Sequence, residues 1–117
     1  MTKHDERTAG GRADLLQGSL DLLILKSLVR EPLHGWGISK RIRQLSEDVL
    51  QVNQGSLYPA LYRLEERGWI APEWGVSPEG RRAKLYRLTD DGMRQLEAGR
   101  EGWRLFAGAV ERVLAST

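Results

Sequence analysis

At Trp69 the hydrophobic pattern of this chain changes period, from the 3.6-residue spacing of an amphipathic helix to the two-residue alternation of a strand, and near Thr89 it changes back. A single such interruption restricts the chain to helices broken by one hairpin. In WIAPEWGV, Ile70, Trp74 and Val76 share one face. SPEGRR supplies the turn, with Pro78 and Gly80 in a polar cluster. AKLYRLT then alternates again, with Tyr86 and Leu88 on one face and Leu85 and Arg87 on the other, which completes a β-hairpin. Its tip and second strand carry Arg81, Arg82, Lys84 and Arg87 against one nearby acid, Glu79.

Three helices are predicted before the hairpin. The first covers residues 19–30, capped by Ser19 and stopped by Glu31-Pro32, because the residue before proline is pushed out of the α region. Leu20, Leu22, Leu23, Ile24, Leu25, Leu28 and Val29 cover nearly its whole circumference, which points to burial on more than one side and hence to a partner chain. The second follows Gly35 and Gly37, with Ile38, Ile42 and Leu45 on one face and Lys40, Arg41, Arg43 and Gln44 on the other. His34 reads as a structural turn residue. The third starts at the cap Asn53 and ends at Gly68, a glycine suited to the left-handed position after a helix. Leu57, Ala60, Leu61 and Leu64 face inward. Ser56, Pro59, Tyr62, Arg63 and Glu66 face outward, with Tyr58 at the margin.

Thr89 caps a last helix that runs to about Leu114, with Asp90 and Asp91 at the positive end of its dipole. At 1.5 Å per residue it is ~40 Å long and overhangs a domain of this size. Leu96, Trp103 and Val110 recur every seven residues beside a second row of Met93, Arg100, Ala107 and Leu114, a short coiled-coil-like seam.

The 117 residues suffice for one core, and residues 1–13 are polar and read as a disordered tail. The net charge of +2 is too small to indicate a polyanionic partner, so the placement of charge must carry that case. Without cysteine there is no disulfide scaffold, thiol catalysis or Cys-ligated metal, and two histidines are too few for most metal sites. No apolar run reaches the ~20 residues of a membrane span, and the first dozen residues lack a secretory hydrophobic stretch. A cytoplasmic location is expected, with no cofactor, no metal and no membrane contact. No Gly-rich phosphate loop or Ser/His/acid set suggests an enzyme.

Three helices, a hairpin with a basic tip and a long helix make an α+β, mainly α fold: a winged helix-turn-helix over residues 14–89, with a C-terminal dimerisation helix over 90–117. Such a domain suits duplex DNA, because a helix fits the major groove and its N-terminal polar side chains reach base edges. Arginine predominates at the hairpin tip, and its guanidinium fork matches phosphate geometry. For Tyr58 and Tyr62, packing against the wing or the second helix stands beside a DNA contact. A dimeric winged-helix module for protein contacts, without operator specificity, is the alternative reading; the wing charge argues against it.

The blocks LLQGSLDLLILKSL, HGWGISKRI, NQGSLYPALYRLEERGWI and EGRRAKLYRLTDDG, in this order and spacing, resemble the PadR family of transcriptional regulators over roughly residues 15–115. The resemblance implies a homodimeric repressor whose first and last helices build the dimer, through Leu20, Leu23, Leu96, Trp103, Ala107, Val110 and Leu114. It implies operator contacts, on an inverted repeat, from Gln54, Ser56, Tyr58, Tyr62 and Arg63 of the third helix and from Arg81, Arg82 and Lys84 of the wing. A single helix after the wing resembles the short subgroup. Release by a small aromatic effector is implied as well, with Trp103 and the neighbouring Arg100 as ligand-binding residues; Trp103 as plain dimer core remains open beside that role. Trp36 stands where the family commonly shows tyrosine.

Overall fold

A computed structural model describes residues 18–117. The tail expected over residues 1–13 lies outside them. The elements run α1 (described over residues 18–27), α2 (Gly35–Leu45), α3 (Gln54–Glu66), β1 (Ile70–Val76), β2 (Arg82–Leu88) and α4 (Asp90–Ala115). Among the described residues this is a mainly helical fold with one small antiparallel sheet, in the winged helix-turn-helix order read from the sequence.

The helix boundaries follow from local bonds. α1 already includes Gly18, so Ser19 lies within it rather than at its cap. It ends at Ser27, not Arg30. The Ser27 hydroxyl donates to the Ile24 carbonyl at 2.7 Å, and Leu28 and Val29 turn back through i→i−3 bonds to Leu25 and Lys26. His34 is indeed structural: it caps α2, with Nδ1 accepting from the Gly37 amide at 3.0 Å. Asn53 caps α3 by accepting from the Ser56 amide at 2.9 Å. α3 closes on a Schellman arrangement, in which Trp69 N–H donates to Leu64 and Gly68 N–H to Glu65, made possible by Gly68 at φ 76°.

The hairpin is in register from Ile70↔Leu88 to Val76↔Arg82. Its turn, Ser77 to Arg81, has Gly80 at φ 83°. On the free side of β2, Leu33 and Tyr86 exchange both backbone bonds, which adds a minimal third lane from the α1–α2 connection.

One apolar cluster holds the fold: Ile24, Leu25 and Leu28 of α1, Ile38 and Ile42 of α2, Leu57, Ala60, Leu61 and Leu64 of α3, Ile70 and Tyr86 of the hairpin, and also Leu20 and Leu96. The cluster crosses the boundary drawn at residues 89/90. Two seats show how tightly α4 begins. A Cβ on Gly92 would lie 2.0 Å from the Trp69 carbonyl oxygen, and one on Gly99 would lie 2.7 Å from Leu22 Cδ1. On α1, Leu22 thus meets the chain's own α4 at Gly99. Two other expectations are corrected. Leu45 is exposed, because α2 has already left the core when it ends. Trp74 and Val76 share a face with Ile70 but stand in solvent, because the hairpin extends past the core.

Candidate nucleic-acid interface

Helical geometry divides α3 into two faces. Leu57, Ala60, Leu61 and Leu64 are buried, while Gln54, Ser56, Tyr58 and Tyr62 are exposed. Tyr58 is both exposed and seated: a Cβ on Gly35 would lie 2.6 Å from its hydroxyl, so the phenol leans on the start of α2. Tyr62, 67 % exposed, is the freer of the two.

Arg63 differs from the other outward residues. Its guanidinium donates to the Asp21 carboxylate of α1 at 2.7 Å, and both side chains are largely covered. Burial pushes the Asp21 carboxyl above its usual 3.8, against the opposing pull of Arg63. Desolvation outweighs the ion pair here because both groups give up most of their water.

The hairpin brings the basic residues together unequally. Its face carrying Ile70, Trp74, Arg82, Lys84 and Tyr86 is the one turned toward α3, since Ile70 and Tyr86 enter the core and Lys84 Nζ reaches Glu65 Oε1 of α3 at 3.1 Å. Lys84 also lies over the Tyr86 ring at 5.3 Å. The bond to Glu65 raises the Lys84 pKa above 10.5, and burial raises that of Tyr86 above 10.0. Arg87 faces away and approaches Glu73 at 3.9 Å. Among the described residues no ion pair engages Arg81 or Arg82; the Arg82 guanidinium instead lies over the Trp74 indole at 4.8 Å. Between this turn and the start of α2 runs a shallow groove of about 420 Å³ bordered by His34, Trp36, Arg81 and Arg82.

Sequence reasoning missed Glu65 and Trp74 as partners of the wing cations. The signal existed in the strand register, which sets Trp74 opposite Lys84 and two pairs inward from Arg82, on the same face. It also missed Phe106. Trp103, Phe106 and Val110 all stand open on α4, with the Trp103 and Phe106 rings 6.0 Å apart. Arg100 is exposed one turn earlier, and Leu114 is exposed near the end. Leu20 and Leu96 are closed in the chain's own core, and Leu23 and Ala107 are half-buried.

The profile described as the transcriptional regulator PadR-like family matches residues 24–98. The chain belongs to this family. The PadR-like match runs from the last turn of α1 through α2, α3 and the hairpin to the first turns of α4, and it holds every core residue except Leu20. The transcriptional regulator YqjI of Escherichia coli (strain K12) is 33 % identical over 94 residues, which are 79 % of this chain and 44 % of that protein; the chain thus spans less than half of that relative's length. The structure of a transcriptional regulator from Clostridium thermocellum superposes with TM-score 0.76 at 29 % identity, covering 85 % of this chain and 96 % of that one. A PadR family transcriptional regulator from Eggerthella lenta superposes with TM-score 0.73 at 29 % identity, with both chains fully covered. PadR-like proteins are DNA-binding transcription regulators, and the family and its structural neighbours are regulators rather than enzymes. Among the described residues, no helix is long and apolar enough to cross a membrane.

Proposed function

We propose that this chain is a homodimeric, sequence-specific repressor acting in the cytoplasm, released from an inverted-repeat operator by a small aromatic ligand. One observation carries the DNA reading. The exposed polar edge of α3, with Gln54, Ser56, Tyr58 and Tyr62, adjoins a hairpin whose Arg81 and Arg82 have no carboxylate partner among the described residues. Cations left unpaired beside a groove-sized helix match a duplex, with the helix reading bases and the wing holding phosphate or minor groove.

The dimer reading rests on α4. Its apolar stripe is buried as Gly92 and Leu96 and continues into solvent as Trp103, Phe106 and Val110. A second copy of the same stripe covers it with matching chemistry, and Leu23, Ala107 and Leu114 lie along the same contact. Two indoles meeting there, with Arg100 nearby, form a slot suited to a neutral or acidic aromatic ligand.

The test is fluorescence anisotropy with duplex DNA from immediately upstream of the coding region and with a scrambled duplex, across a salt series. The expected result is tighter binding to the upstream duplex and a steep loss with salt on both. Equal affinity for the two sequences removes operator specificity, and binding indifferent to salt removes the DNA reading. A panel of planar aromatics added to the operator complex then tests release, with Trp103→Phe as the control. Operator affinity that no compound shifts removes the effector.

A further inference from the structure

We infer that Trp74 is a positioning residue for the wing: its indole holds the Arg82 guanidinium in place for a DNA phosphate. The inference rests on the DNA-binding reading and assigns a role to a residue with no part in it so far. Trp74 lies on β1, two residue pairs inward from Arg82 on β2, and both side chains project from the hairpin face turned toward α3. The Arg82 guanidinium carbon sits 4.8 Å from the ring centroid. Trp74 is 60 % exposed, so core packing does not account for an indole at this position.

The same hairpin face alternates cation and aromatic outward from the core. Tyr86 is buried, Lys84 lies over it, Trp74 stands opposite Lys84, and Arg82 lies over Trp74. The two cations end differently. Lys84 is tied to Glu65 of α3 and becomes a strut between wing and helix. Arg82 has only the indole among the described residues, and that contact leaves its hydrogen bonds free. Cation–π attraction uses the flat face of the guanidinium, whereas its N–H donors point outward in its plane. A carboxylate partner would compete with phosphate for those donors; an indole does not. Stacking also removes rotamer freedom before DNA arrives, so less is lost when the phosphate bond forms.

The experiment uses the full chain with a labelled mixed-sequence duplex, because phosphate contacts are independent of sequence. Trp74→Ala should weaken binding about threefold, the scale of an exposed cation–π contact, and Trp74→Phe should recover part of it. The salt slope of Trp74→Ala should match wild type, because Arg82 still meets its phosphate. Arg82→Ala should lower the slope by about 0.9. In an Arg82→Ala background Trp74→Ala should change nothing further. Without DNA, the Arg82 Hδ protons should be shifted upfield by the indole in NMR spectra, and the shift should vanish in Trp74→Ala and persist in part in Trp74→Phe. Equal losses from Trp74→Ala with and without Arg82 overturn the inference, as do Arg82 protons that Trp74→Ala leaves unmoved. A wild-type chain that shows the NMR shift but binds no duplex overturns the DNA reading and leaves the stack standing.

Discussion

Arg63, near the end of α3, is bonded at 2.7 Å to Asp21 of α1, 42 residues earlier in the chain. A residue that faces outward on its own helix is thus committed to a neighbouring one. Arg63→Ala should cost stability as well as DNA affinity. Asp21→Ala leaves the largely covered guanidinium unpaired and should cost about 1 kcal/mol in urea unfolding. Asp21→Asn keeps a hydrogen-bond acceptor without the buried charge and should cost less. The raised Asp21 pKa has a definite sign. The folded state holds this proton more tightly than the unfolded one, so this group's contribution to stability falls as pH rises through the window just above 3.8. In Asp21→Asn that part of the pH dependence should be absent.

The wing cations should separate into two kinds. Replacing Arg81 and Arg82 together with alanine should lower the slope of log K against log salt by up to ~2 and weaken all sequences alike. Lys84→Ala should leave the slope nearly unchanged and instead loosen the hairpin from α3, read as faster amide exchange in β1 and β2. A full unit of slope lost in Lys84→Ala would return that residue to the phosphate contacts.

Phe106→Glu with Val110→Glu should yield a folded monomer in sedimentation, because both side chains are exposed in the single chain while a dimer seam would bury the carboxylates unpaired. Far-ultraviolet dichroism should be unchanged. Leu96 is unsuitable for this test, since at 4 % exposure a charge there would break the core itself.

Alkaline pH should undock the hairpin. The Lys84 pKa is raised by its bond to Glu65, so its contribution is complete below 10.5 and disappears as pH climbs through the folded value. Tyr86 is raised by burial, so the unfolded state releases its proton first and stability falls as pH rises above 10.0. An ultraviolet tyrosinate titration should show one residue ionising late, and Tyr86→Phe should remove that step.

Local signals were legible in the sequence. The change of period located the hairpin, and Asn53, Thr89 and Gly68 marked helix ends because capping needs only neighbours three or four residues away. The inward face of α3 was read correctly, since periodicity alone decides it. What was not legible depends on distant segments meeting. Asp21 with Arg63 and Glu65 with Lys84 are pairs that periodicity cannot see. Leu96 read as seam because its heptad spacing is genuine; only the closeness of Gly92 and Gly99 to the rest of the chain turns that part of the stripe inward. Phe106 was passed over because the second seam row was drawn through Arg100 and Ala107, one step away from the exposed Trp103–Phe106 pair.

The seat of Gly92 beneath the Trp69 carbonyl has a mechanical meaning. Thr89 donates to the Gly68 carbonyl at 2.7 Å and accepts from Gly92, so the base of the wing and the start of α4 are joined on both sides of the junction. Only Thr89 separates β2 from α4, which leaves no slack to absorb a rotation. The base of the wing and the first turn of α4 are therefore joined rigidly. Over the ~39 Å of α4, each degree of tilt moves the far end by about 0.7 Å. A load on the helix beyond Arg100 therefore meets the base of the wing at Gly68, Trp69 and Thr89 without an intervening loop.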